Sequence, residues 1–98
     1  MSTIINYNKR DVILSYSNKS VSEEELKNSI NIESRGFSEG KNYEQVQQEA
    51  QLYLIRDAML KKPRFRLKKI VGIKQNVNYV NPEEGILKMV LEGTAIFK

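Results

Sequence analysis

Apolar and polar positions alternate most regularly in the last third of the chain, where two runs, residues 65–80 and 86–97, flank Asn81-Pro82-Glu83-Glu84-Gly85. Folded as a hairpin on that pentapeptide, Val80 faces Ile86, Tyr79 faces Leu87, Val77 faces Met89, Val71 faces Ala95 and Lys69 faces Phe97. One face then collects Phe65, Leu67, Val71, Ile73, Val77, Tyr79, Leu87, Met89, Leu91, Ala95 and Phe97. The other collects Arg66, Lys68, Lys74, Asn76, Asn78, Lys88, Glu92 and Thr94, with Ile70, Val90 and Ile96 among the charges. Side chains alternate faces along a strand, so a one-residue slip on either strand scrambles this segregation. The pattern predicts an antiparallel hairpin with an apolar face and a basic face. A glycine closing its loop is expected in the left-handed region.

A shorter hairpin is predicted over residues 3–16. With Asn8-Lys9-Arg10-Asp11 as its turn, Thr3, Ile5 and Tyr7 oppose Tyr16, Leu14 and Val12 on one face. Residues 21–30 read as a short helix, since Ser20 and Ser22 both begin capping boxes and Glu23, Glu24 and Glu25 suit the positive end of a helix dipole. Ser34 to Gly40, with two glycines and two serines, reads as a loop. Asn42 is a good N-cap for a long helix over 43–62, which stops before Pro63. Tyr43, Val46, Ala50, Tyr53, Leu54 and Ala58 form one apolar stripe on it, and Leu52, Ile55 and Met59 form another. A helix apolar on two sides is expected to be covered on two sides. The expected fold is α+β in one domain, 1–98: an antiparallel sheet from two hairpins, in the order β-β-α-α-β-β, packed against one long and one short helix.

Composition narrows the chemistry. Ninety-eight residues support one modest core, and the chain has no Cys and no His, which removes thiol nucleophiles, disulfides and imidazole catalysis. No apolar run is long enough to span a membrane, and the first residues lack the pattern of a secretory signal, so a cytoplasmic protein is expected. Abundant Asn, Lys and Ile fit an AT-rich genome such as that of a phage, a plasmid or a low-GC bacterium; for a phage protein the place would be the host cytoplasm or the virion. The net charge of +4 is unevenly spread: residues 1–60 carry seven basic and nine acidic side chains, residues 61–98 nine basic and three acidic. Lys61, Lys62, Arg64, Arg66, Lys68, Lys69 and Lys74 follow one another with no intervening acid.

Catalytic signals are poor. Glu23, Glu24 and Glu25 diverge by about 100° each on a helix and cannot converge on one substrate. Gly36 and Gly40 do not follow the pattern of a phosphate-cradling loop. No enzyme, cofactor, metal or small-molecule substrate is expected, and no motif carries a family resemblance. The basic run is the candidate site: Lys61, Lys62, Arg64, Arg66, Lys68, Lys74 and Lys88 would meet protein or nucleic acid. Acidic side chains of a neighbouring copy, Glu23, Glu24, Glu25, Glu44 and Glu49, are the expected counterpart. Candidate oligomer contacts are Leu52, Ile55, Met59, Ile70, Val90 and Ile96. The hairpin's aromatics fall on its apolar face, which argues against base stacking. A non-enzymatic, self-associating assembly subunit is therefore expected. The alternatives are a backbone-directed, sequence-nonspecific nucleic-acid-binding protein and a small inhibitor protein.

Overall fold

The computed structural model describes residues 2–17 and 22–97. Its elements run β1 (Ser2–Tyr7), β2 (Arg10–Ser15), α1 (Glu23–Lys27), β3 (Ile30–Gly40), α2 (Tyr43–Lys61), β4 (Leu67–Asn81) and β5 (Ile86–Phe97). The fold is α+β, but a strand separates the two helices, giving β-β-α-β-α-β-β. The sheet is mixed rather than antiparallel throughout: in the order β1-β2-β4-β5-β3, β2 and β4 are parallel and the other neighbours antiparallel.

The extra strand is the segment expected to be a loop. Ser34, Gly36 and Ser38 point from β3 toward α2 and are buried there. A methyl group at Gly36 would overlap the Leu54 amide nitrogen and the Ala50 carbonyl of the helix backbone. Ser34 Oγ donates to the Leu54 carbonyl at 2.8 Å, and Ser38 Oγ to Glu49 at 2.8 Å. Small residues that resemble turn chemistry here let a helix lie almost directly on a strand.

α2 follows its local signals. Asn42 Oδ1 accepts from the Gln45 amide at 3.0 Å, and the helix ends just before Pro63. Val46, Ala50, Leu54, Ile55 and Ala58 are sealed against Ile73, Leu87, Met89, Leu91, Ala95 and Phe97, with Val12 and Leu14 completing the core. The two apolar stripes divide differently from expectation. Ile55 and Met59 pack on the same core as the first stripe, while Tyr53, expected inside, is 49% exposed.

In the N-terminal hairpin, Asn8 and Lys9 both take positive φ, 51° and 66°, forming a two-residue turn of the primed type. Ile5 therefore pairs with Val12 and Thr3 with Leu14, two residues away from the expected register. A shift of two preserves the faces, so Ile5, Tyr7, Val12 and Leu14 still point to the core. The short helix spans only Glu23–Lys27, with Ser22 as its cap and its hydroxyl accepting from Glu25 N at 3.1 Å. The expected start of that helix at residue 21, and the other capping residue, Ser20, lie outside the described residues.

The C-terminal hairpin has the expected register in its middle: Tyr79 with Leu87, Val77 with Met89 and Asn76 with Val90. Gly85 has φ 71°. Both ends differ. Asn81, not Val80, pairs with Ile86, and Val71 pairs with Thr94 rather than Ala95. The second change comes from a bulge between Val71 and Lys74, where Gly72 adopts φ 61°. The extra residue turns Ile70 inward to pair with Ala95 beside Gly93 and Ile73, and it sends Val71 to the opposite face. The same bulge sets Lys69 against Ile96 instead of Phe97, and a second irregularity between Leu67 and Lys69 brings Leu67 opposite Phe97. Val71 and Ile96 are buried but stand outside the helix-side core. α1 reaches that opposite face through Glu25, which pairs with Lys68 and Lys69.

Leu54→Ala should cost about 2–5 kcal/mol, because its side chain is fully enclosed. Gly36→Ala should cost about 3 kcal/mol by forcing helix and strand apart. Urea unfolding measures both, and a loss below about 1 kcal/mol in either would show that α2 does not rest on β3 at this point.

Candidate interaction surfaces

The basic run expected to seek a partner is partly neutralised within the chain. Lys61 Nζ lies 3.1 Å from Asp57 Oδ2 and donates to the Glu33 carbonyl at 3.0 Å. Asp57 also accepts from the Arg35 amide at 2.9 Å and the Ser34 hydroxyl at 3.1 Å. Partial burial pushes the Asp57 carboxyl upward, but the Arg35 N–H, the Lys61 ammonium and the Ser34 hydroxyl outweigh it and hold the group below its ordinary value. Glu25 bridges Lys68 at 3.3 Å and Lys69 at 3.0 Å. The Lys69 ammonium chiefly, with Lys68, lowers the Glu25 carboxyl against a smaller upward push from desolvation. Glu25, expected to face a neighbouring copy, is thus engaged by its own chain.

Lys62, Arg64, Arg66 and Lys74 form no ion pair among the described residues. The first three surround the connection from α2 to β4, where Phe65 is 44% exposed between two arginines. Phe65 was expected on the buried face; it precedes the first paired residue of β4 and so lies outside the sheet. Lys88 stands over the Phe37 ring, 5.0 Å from its centroid. Arg35 meets Glu92 at 3.6 Å on the surface, where such a pair contributes little.

The apolar candidates separate by burial. Ile55 and Ile70 are enclosed in the helix-side core, and Ile96 is closed off on the opposite face. These three offer no surface to a partner. Met59 and Val90 are half-buried, and Leu52 is exposed. Exposed apolar side chains instead gather at the far end of β4, where Tyr79 is 63% and Val80 56% exposed. Ile70 and Ile73 of β4 join the core with α2, but Val77 and Tyr79, farther along the same face, remain exposed beside the helix. Phe37 is exposed on the face away from α2 and belonged to the segment read as loop, so no strand pattern drew attention to it.

Gln75, a polar residue on the helix side of β4, is held in a side-chain network. Its carbonyl oxygen accepts from Gln47 at 3.0 Å and from the Tyr16 hydroxyl at 3.4 Å, and its amide donates to the Tyr43 hydroxyl at 2.7 Å. Gln51 donates to the Tyr16 hydroxyl at 3.3 Å. Beyond Gln75 the edge of β4 is open among the described residues. β2 pairs with β4 only through Ile13–Lys69 and Leu14–Ile70, and the Ser17 carbonyl then accepts from Gly72 N at 3.4 Å. From Lys74 to Asn81 no strand lies on that side of β4 among the described residues. Gln75–Asn81 carries no charge, proline or glycine.

No group of three or more acidic side chains close enough to hold a metal ion occurs among the described residues. No helix among them is long and apolar enough to cross a membrane. Comparison of the chain with protein-family models, with curated proteins and with solved structures finds no match.

Asp57 gives a pH prediction. Its carboxyl is lowered on folding, so it contributes stability above the unfolded value near 3.8, and that contribution is lost as pH falls through the lowered value. Asp57→Asn should be less stable than the native chain at pH 7, and the gap should close on acidification below about pH 3.8. Urea midpoints at several pH values read this; a gap of constant size would show that the charge is not involved.

Proposed function

We propose that this protein is a non-enzymatic assembly module that works by protein–protein contact and self-associates. The observation that carries this reading is the far end of the C-terminal hairpin. There an uncharged strand edge and the exposed side chains of Val77, Tyr79 and Val80 occur together. Isolated exposed apolar residues are ordinary, but an open edge without charge, proline or glycine lacks the usual devices that keep strands from pairing between molecules. Leu52 and Tyr53, exposed on α2, add apolar surface on another side. Of the basic residues, Lys74 borders this region, while Lys61, Lys68 and Lys69 already have acidic partners in the chain.

A second reading has one observation in its favour. The α2–β4 connection places Phe65, exposed, between Arg64 and Arg66 and near Lys62, the combination of cations with a stacking surface used by backbone-directed single-strand binders.

Light scattering at two protein concentrations and a salt titration against random-sequence DNA and RNA separate the readings. The assembly reading expects mass to rise with concentration and no nucleic-acid binding at 150 mM salt. A monomer whose nucleic-acid affinity falls steeply with salt, and falls at least about tenfold on Arg64→Glu with Arg66→Glu, would replace it with the second reading.

A further inference from the structure

We propose that the open edge of β4 pairs with the same edge of a second copy, antiparallel, about a two-fold axis midway between the two copies of Asn78. This rests on the self-association read above and assigns it a surface and a register.

Three features of the edge select this arrangement. First, the uncharged window is symmetric about Asn78: Gln75-Asn76-Val77 on one side, Tyr79-Val80-Asn81 on the other. Antiparallel pairing about that residue sets Val77 opposite the partner's Tyr79, and by symmetry Tyr79 opposite the partner's Val77. Aromatic and β-branched pairs are among the favourable cross-strand combinations. Both lie on the helix-side face, where the structure leaves them exposed beside α2. On the other face Asn78 meets its own copy, and two carboxamides can exchange hydrogen bonds.

Second, the charges at the ends are complementary. Pairing about Asn78 brings Lys74 opposite the partner's Pro82, next to the partner's Glu83 and Glu84 in the turn. Lys74, Glu83 and Glu84 form no ion pair within their own chain among the described residues. The dimer would therefore join one cation to an acidic turn at each end of the paired strands. Such rim charges chiefly set orientation and encounter rate.

Third, among the described residues the open stretch of this edge has a limited length. The Ser17 carbonyl closes it by bonding Gly72 N at 3.4 Å. Centred on Asn78, the partner's turn begins opposite Lys74 and reverses before reaching that bond. Centred two residues earlier, the partner's turn would be driven into Ser17. The other uncharged edge, that of β1, has Lys9, Arg10 and Asp11 at its turn and no bounded stretch.

The chain has no cysteine, so Asn78→Cys introduces a single thiol on an exposed position of the strand. Directly opposed residues in antiparallel strands have Cβ atoms about 4.5–5.5 Å apart, close enough for a disulfide with small adjustment. Mild oxidation should convert most of the Asn78→Cys protein to a covalent dimer, while Ile4→Cys on β1 and Phe37→Cys on β3 stay monomeric on denaturing gels. Asn78→Lys sets two ammonium groups across the axis and should weaken association at least about tenfold, with an unchanged unfolding midpoint. If the native chain associates but Asn78→Cys does not cross-link and Asn78→Lys associates normally, the pairing is overturned while self-association stands. Cross-linking through Ile4→Cys instead would move the contact to β1 and overturn it too. A native chain monomeric at every concentration overturns both, and leaves the edge to a strand of another protein.

Discussion

The whole arrangement depends on how closely α2 approaches β3. Helix and strand backbones usually keep a layer of side chains between them, but here Gly36 lies under the Leu54 amide and the Ala50 carbonyl. Ser34 and Ser38, on either side of it, hydrogen-bond to the helix instead of spacing it away. That seat places Val46, Ala50, Leu54 and Ala58 over β5, whose Leu87, Met89, Leu91 and Phe97 fill the space beneath. Because the helix is held toward the β3 side, the far half of β4 on the other side of the hairpin remains uncovered. The uncovered strand is thus a consequence of the tight contact.

The path between β2 and β3 has a similar reach. β2 and β3 lie on opposite sides of the β4–β5 pair, so the chain between them must cross that pair. α2 occupies one face, and α1 meets the other through Glu25, Lys68 and Lys69. Two lysines sharing one partly exposed carboxylate contribute modestly to stability, but they fix where the crossing segment rests. Val71 and Ile96 are buried on that same face.

Charge and edge chemistry then divide the surface. Within the basic run 61–74, internal partners take Lys61, Lys68 and Lys69; the cations of that run left without an ion pair among the described residues cluster at the α2–β4 connection, with Lys74 apart from them on β4. The edges differ in kind as well. β3 carries Glu33, Arg35 and Glu39, charges that discourage pairing between molecules, whereas Gln75–Asn81 carries none. The edge of β3 is thus guarded by charge, whereas those of β1 and of the far half of β4 are not.

Local patterns in the sequence determined α2 with its Asn42 cap, the middle of the C-terminal hairpin, and the faces of the N-terminal hairpin, because each rests on near-neighbour periodicity and caps. The α+β class followed from these elements. Tertiary structure decided the rest. Ser34 to Gly40 looks like loop in isolation, since small and flexible residues serve both turns and close helix contacts, and only the presence of α2 distinguishes the two. The inward turn of Ile70 depended on Gly72 forming a bulge, and glycine in a strand marks such a place without saying which way the next residues point. Glu25 reads as one of three solvated acids until the crossing brings it to Lys68 and Lys69, more than 40 residues away in sequence. The exposure of Tyr79 was hidden for the same reason: an alternating pattern shows which face a side chain takes, and the breadth of the helix above it decides whether that face is covered.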